Sequence, residues 1–287
     1  MTVTIEDYRG EETAWCQGCG NFGILSALKK ALVELQIHPY EVLIVSGIGQ
    51  AGKLPHYMKC NTFNGLHGRT LPVATAAKLV NNRLNVFAVG GDGDGYAEGG
   101  NHFMHTIRRN PNIKYLVHNN QIYALTKGQA SPTSDIGFVT KTTPGGVTAK
   151  QLNPIALAIT LGATFVARTF SGDIPHQVQI IKAAVQHRGF AYIDILQPCV
   201  TFNHLNTYSW YLKRIYKLEN EHHNPSDLEA AYLKAKEWGD RIPIGIFYQN
   251  PQQQPTYEDQ FPVIKEQPLV KQPIDPKQYE KLIQDFL

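Results

Sequence analysis

The stretch AVGGDGDGYAEGGN, residues 88–101, carries glycine at positions 90, 91, 93, 95, 99 and 100 and sets Asp92 and Asp94 among them. Glycine has no Cβ, so such a segment lets a ligand come against bare backbone. It ends the apolar run NVFAVGG (85–91) and opens a stretch that NPN (110–112) closes, since Pro111 cannot continue a helix. The next apolar run, IKYLVHN (113–119), finishes at Asn119-Asn120. Strand, loop, helix and strand in that order form a crossover whose two strands lie parallel. Asp92 and Asn120 then share the carboxyl end of the sheet, where open α/β sheets bind ligands. Their side chains offer hard oxygen ligands. These suit Mg²⁺, which keeps phosphate oxygens among its partners, and the glycines let backbone N–H groups reach those phosphates. The pattern predicts a diphosphate carrying Mg²⁺. A dinucleotide fingerprint fits less well: Gly91 and Gly93 satisfy its first two places, but Tyr96 stands at the third.

The same alternation extends outward. Residues 22–37, FGILSALKKALVELQI, space Phe22, Leu25, Leu28, Leu32 and Leu35 as one face of a helix. EVLIVSGIG (41–49), ATFVART (163–169) and FAYIDILQP (190–198) read as strands buried on both faces, with helices near 73–82, 99–110, 154–161 and 174–187. This predicts an α/β fold, a mostly parallel sheet with helices on both faces, over residues 1–205. Composition shifts after about residue 205. Residues 206–239 read as polar and helical. The Pro/Gln-rich stretch QNPQQQPTYEDQFPVIKEQPLVKQPIDP (249–276) reads as an extended C-terminal arm, either disordered or laid along a partner, so that 206–287 form a second unit.

The chain has 287 residues, 43% of them hydrophobic, with a net charge of +3. That charge is too small to argue for nucleic acid. No run of about 18 apolar residues suggests a membrane span. The start, MTVTIEDYRGEETAWCQG, lacks a basic-then-apolar signal pattern, so a cytoplasmic location is expected. In a reducing compartment Cys16, Cys19, Cys60 and Cys199 are metal ligands or plain thiols rather than disulfides. Cys16-x-x-Cys19, in a Gly-rich turn before a helix, is half of a metal site: zinc, a redox dithiol or an iron–sulfur cluster. No thioredoxin-like strand precedes it, which disfavours the dithiol.

GDG followed by NN resembles the motif by which thiamine diphosphate is bound. WCQGCGNFG (15–23), SGIGQAGK (46–53), GLHGRTLPVATAAKL (65–79), GGDGDGYAEGGNH (90–102) and NNQIYALTKGQASPTS (119–134), in that order, resemble the beta subunit of 2-oxoacid:ferredoxin oxidoreductases. The resemblance covers residues 14 to about 205. It implies a thiamine diphosphate-binding fold in which Asp92, Asn120 and the carbonyl of Ile122 bind Mg²⁺. Gly91, Gly93 and Asp94 would belong to the diphosphate loop. Thr126, Lys127 and Gln129 would stand by the reacting end of the cofactor, with Lys127 meeting the anionic 2-oxoacid or coenzyme A. His67, Arg69 and Lys53 would face the diphosphate or a substrate carboxylate.

The resemblance also turns the cysteines toward one 4Fe–4S cluster near the cofactor, with Cys16, Cys19 and Cys199 as ligands. Many relatives carry a further Cys where this chain has Gln50, so the expected fourth ligand is Cys60 of YMKCNTF (57–63). The implied activity is oxidative decarboxylation of a 2-oxoacid with coenzyme A, with electrons passed to ferredoxin, and it is reversible. The carboxylate that thiamine diphosphate needs beside its aminopyrimidine ring would come from an alpha subunit, making the enzyme an obligatory heterodimer or a dimer of such pairs. Two other functions share part of this pattern: a decarboxylase or synthase without electron transfer, and a zinc-stabilised interaction subunit.

Overall fold

The structure, a computed structural model, describes residues 2–273 and 275–287. Its organising pair is β3 (Asn85–Gly91) beside β4 (Ile113–Asn119), parallel, with Gly91 level with His118. Around them run β1 (Val42–Ser46), β2 (Asn61–Asn64), β7 (Phe165–Phe170), β8 (Ala191–Leu196), β9 (Ile215–Lys217) and β10 (Ile242–Gln249). The sheet order is β2-β1-β3-β4-β8-β7-β10-β9. All neighbours are parallel except β7 and β10. A two-stranded hairpin, β5 (Ile122–Tyr123) with β6 (Gln129–Ala130), stands apart from the sheet.

The apolar runs are continuous because successive strand residues point to opposite faces and both faces are covered. Phe87, Val89 and Leu116 pack with Ile24, Leu28 and Leu32 of α1 (Asn21–Glu34) and with Ile180 and Ile181 of α5 (Ile174–Gln186). Val86, Ala88, Tyr115 and Val117 point the other way. They meet Leu71 and Ala74 of α2 (Thr70–Val80), Phe103 of α3 (Gly100–Arg109), Ile155 and Ala158 of α4 (Pro154–Thr160), and Ala231 of α7 (Leu228–Ala235). Each such large side chain removed from water contributes roughly 1.5–3 kcal/mol, so the two layers fix the strand ends that carry the site. Local signals agree with the boundaries. Asn153 and Asp173 accept the Ala156 and His176 amides at 3.0 and 3.1 Å and start α4 and α5. Asn110, in a left-handed conformation, ends α3 just before Pro111.

Three features differ from the sequence reading. The helix expected near 99–110 is α3, but a π-helical turn (Gly93–Glu98) that the sequence did not suggest precedes it. The segment after residue 205 holds helices α6 (Tyr208–Leu212) and α7, but also β9 and β10, which join the main sheet. The run IPIGIFYQ is as apolar as the earlier strands, and Pro/Gln-rich composition just beyond it masked the signal. Finally, the arm that follows is tied to this chain itself. Glu258 accepts the Asn112 amide at 3.2 Å, Asn110 donates to the Pro255 carbonyl at 3.0 Å, and Asn82 donates to the Ile264 carbonyl at 2.8 Å. The chain ends with α8 (Pro276–Gln284). Among the described residues no helix is long and apolar enough to cross a membrane.

Candidate functional site

Parallel pairing puts Asp92 one residue beyond β3 and Asn120 one residue beyond β4. Both line one pocket together with Gly91, Gly93, Asp94, Ile122, Thr126 and His67. The sequence-derived cradle is therefore assembled at the carboxyl end of the sheet. Gly93 has no room for a side chain: a Cβ there would come within 2.3 Å of the Tyr123 ring.

Asp92 is 1% exposed. Its Oδ2 accepts hydrogen bonds from Ser131 Oγ at 2.5 Å and Thr133 Oγ1 at 2.6 Å. These hydroxyls reach it because the β5–β6 hairpin, with Lys127 and Gly128 at positive φ in its turn, folds residues 131–133 back under the strand ends. Burial pushes the Asp92 carboxyl up to about 6, against the two hydroxyls that favour its charged form. A carboxylate sunk this deep is costly to charge on its own, and a cation beside it would offset that cost. Asn120 Oδ1 accepts the Ile122 amide at 3.1 Å, across a turn that Gln121 makes with φ +58°. The pair offers the carboxylate and amide oxygens that Mg²⁺ prefers.

Asp94 does different work. It accepts the amides of Ile48 at 3.0 Å and Gly68 at 2.9 Å and so clamps two loops to the cradle. The His67 ring nitrogen lies 2.9 Å from Asp94 Oδ1, in contact but without hydrogen-bond alignment. Burial raises the Asp94 pKa despite these donors. Lys53, Arg69 and Lys127 are not among the residues that line the pocket. Arg69 points to the carbonyls of Gly68 and Glu98, at 3.4 and 3.3 Å, and Lys127 is exposed at the hairpin turn. Gln129 folds back on Thr126, donating to its carbonyl at 3.0 Å.

A second pocket adjoins the first. Cys16, Cys19 and Cys199 line it, and Gln50, Asn120 and Ala124 belong to the walls of both. Burial, with Cys199 and Cys16 nearby, pushes the Cys19 thiol up to about 11, while Gln197 Nε2 donates to its sulfur at 3.4 Å. Three thiols converging where thiolates repel are a soft donor set that a cation would stabilise. Among the described residues no three His, Cys, Asp or Glu side chains already stand at metal-binding geometry. Cys60 does not join the other cysteines. The chain turns into β2 at that point, and the thiol packs against the core on the α1 side, where burial pushes it up to about 12.

Sequence reasoning missed His118, Ser131 and Thr133. His118 is 0% exposed and lines the cradle beside Gly91. Its Nδ1 lies 2.7 Å from Asn21 Oδ1, Nε2 has no partner, and burial lowers its pKa to about 3, so the ring is neutral. It read only as one member of an apolar strand. Ser131 and Thr133 lie in the NNQIYALTKGQASPTS motif but carried no role there, and only the fold brings them to Asp92.

Comparison with known proteins agrees with this geometry. Residues 47–195 match the family described as thiamine pyrophosphate enzyme, C-terminal TPP binding domain, and residues 199–266 match the family of the C-terminal region of the pyruvate ferredoxin oxidoreductase beta subunit. The chain is 48% identical over 248 residues to the 2-oxoacid:ferredoxin oxidoreductase subunit beta of Saccharolobus solfataricus, covering 82% of this chain and 81% of that one. It is 44% identical to the 2-oxoglutarate oxidoreductase subunit KorB of Mycobacterium tuberculosis, over 67% of this chain and 52% of the relative. Among solved structures, the 2-oxoglutarate:ferredoxin oxidoreductase from Magnetococcus marinus, with 2-oxoglutarate, coenzyme A and succinyl-CoA bound, superposes with a TM-score of 0.89 at 37% identity. The match covers 98% of this chain and 96% of that one.

Proposed function

The chain belongs to the beta subunits of the 2-oxoacid:ferredoxin oxidoreductases, and from that premise we propose that it oxidatively decarboxylates a 2-oxoacid with coenzyme A, reversibly, passing electrons to ferredoxin. In this reading the Asp92 carboxylate, Asn120 Oδ1 and the Ile122 carbonyl hold Mg²⁺, which holds the diphosphate of thiamine diphosphate. Ser131 and Thr133 fix one oxygen of Asp92 and so orient the carboxylate toward the ion. Gly91 and Gly93 give the diphosphate access to backbone, and Asp94 keeps the 48 and 68 loops in place around it. Thr126 stands at the rim, and Lys127 reaches the anionic 2-oxoacid or coenzyme A from outside the cradle as a flexible point charge. His67 and Arg69 sit on the loop that approaches the same rim, and Lys53 belongs to the Ala51–Tyr57 turn that follows Gln50.

Thiamine diphosphate would supply the electron sink for loss of CO₂, and a 4Fe–4S cluster held by Cys16, Cys19 and Cys199 would supply a one-electron path out. The observation that carries the reading is the common wall: Gln50, Asn120 and Ala124 line both the cradle and the thiol pocket, so a cofactor and a cluster would sit side by side. An alpha subunit would bring the carboxylate that thiamine diphosphate needs beside its aminopyrimidine ring. The test is the co-expressed alpha–beta complex, purified without oxygen and assayed with pyruvate, 2-oxoglutarate and branched 2-oxoacids, coenzyme A and a viologen dye. Coenzyme A-dependent dye reduction by the complex, and none by the isolated beta chain, is expected. Decarboxylation without dye reduction would instead identify a non-oxidative decarboxylase.

A further inference from the structure

We infer that Gln50 faces the fourth corner of the cluster site, so that one iron there has no thiolate and is released on oxidation. The inference rests on the iron–sulfur reading above and deepens it. A cubane cluster presents four irons, each needing a ligand. Three thiols line the pocket. Among its other lining residues, Gln50 alone has a side-chain oxygen that is buried and without a hydrogen-bond partner. Its backbone is pinned to the cysteine segment: Trp15 Nε1 donates to the Gln50 carbonyl at 2.9 Å, and Gly49 turns the chain with φ +106°. The orphaned Oε1 is thus held at the thiol pocket by a contact with the residue preceding Cys16. The remaining cysteine is out of play, because Cys60 packs in the core on the α1 side.

An amide oxygen is a hard, neutral donor and binds sulfide-bridged iron less firmly than thiolate does. A one-electron oxidant, such as ferricyanide or dioxygen, takes one electron from [4Fe–4S]²⁺. The oxidised core then sheds Fe²⁺ from the Gln50 corner and becomes [3Fe–4S]⁺, with all four sulfides retained. Fe²⁺ and a reductant reverse the step. Gln50 also lines the cofactor cradle, so the labile corner faces the cofactor. The site becomes an oxidation-sensitive switch on the electron path.

The test measures iron, sulfide and the EPR spectrum of the anaerobic alpha–beta complex before and after ferricyanide. Loss of iron with unchanged sulfide, appearance of the [3Fe–4S]⁺ signal, and recovery with Fe²⁺ and dithionite are expected. Gln50→Cys should keep its iron through the same treatment. Should that variant not fold, Gln50→Ala serves: it should shed iron at less oxidant than the parent. Cys60→Ser should match the parent in every reading. Retention of all iron by the oxidised parent, equal loss from Gln50→Cys, or iron loss from untreated Cys60→Ser overturns the Gln50 assignment. A complex that retains thiamine diphosphate but contains neither iron nor sulfide overturns the underlying cluster reading instead.

Discussion

The cradle around Asp92 and the thiol pocket beside it share a wall but are built in opposite ways. In the cradle the charged group is sunk below the surface and already held by Ser131 and Thr133, while Asp94 ties down the loops that close around it. In the thiol pocket Cys16 is exposed, Cys19 half-buried and Cys199 buried, and Gln50 Oε1 has no partner. The difference teaches that preorganisation is distributed by chemistry. A hard cation needs oxygens oriented in advance, since its ligand geometry is strict. Soft thiols are brought to order by the metal they bind, because binding energy and local folding are coupled.

The sharpest way to break the contrast is Asp92→Asn in the alpha–beta complex. It should lower Mg²⁺-dependent retention of thiamine diphosphate by more than about 100-fold, beyond the range typical of groups that merely support a ligand. The cofactor-free protein should melt no lower, because a buried carboxylate without its cation is lost. Calorimetric titration and thermal melts of the same preparation read both. Thr133→Val removes one of the two supporting hydroxyls and should weaken Mg²⁺ binding by about 10–100-fold, measured by metal titration. Gly47→Ala attacks the clamp: its Cβ would lie 2.1 Å from an Asp94 oxygen, and a destabilisation of about 1–3 kcal/mol in denaturant melts is expected.

How far these residues were legible in the sequence follows the same contrast. Asp92 and Asn120 stood out because strand ends can be read from apolar runs, and a parallel crossover puts two such ends side by side. Ser131 and Thr133 did not, because their contact with Asp92 depends on a hairpin of two-residue strands, with no periodicity to see. His118 was hidden by being an ordinary strand position whose role comes from facing Gly91. Cys60 misled for a related reason. It is ten residues from Gln50, but the Ala51–Tyr57 3-10 turn and β2 carry it to the α1 side of the core. β10 was legible as an apolar run yet overlooked beside the Pro/Gln tract.

Proton linkage separates the two regions further. The folded Asp92 carboxyl lies at about 6, above its unfolded value of 3.8. Between those values the folded chain keeps a proton that the unfolded chain releases, so without metal this group's contribution to stability falls as pH rises through that window. Mg²⁺ with thiamine diphosphate favours the charged form, so its stabilisation should be larger at pH 7 than at pH 5 in thermal melts. Equal shifts at both pH values would remove Asp92 from the ion's ligands. The smallest effect belongs to the thiol pocket. Cys16→Ser should change the stability of the metal-free chain by no more than about 0.5 kcal/mol, as for an ordinary exposed position.

The central claim is that thiamine diphosphate enters this cradle through a divalent ion held by Asp92 and Asn120. Calorimetric titration of thiamine diphosphate into the stripped alpha–beta complex, with Mg²⁺ or with a chelator, addresses it directly. Saturable binding in Mg²⁺ that disappears with chelator, and in Asp92→Asn under either condition, is the predicted result. Binding of equal strength with chelator present, or unchanged in Asp92→Asn, would contradict it.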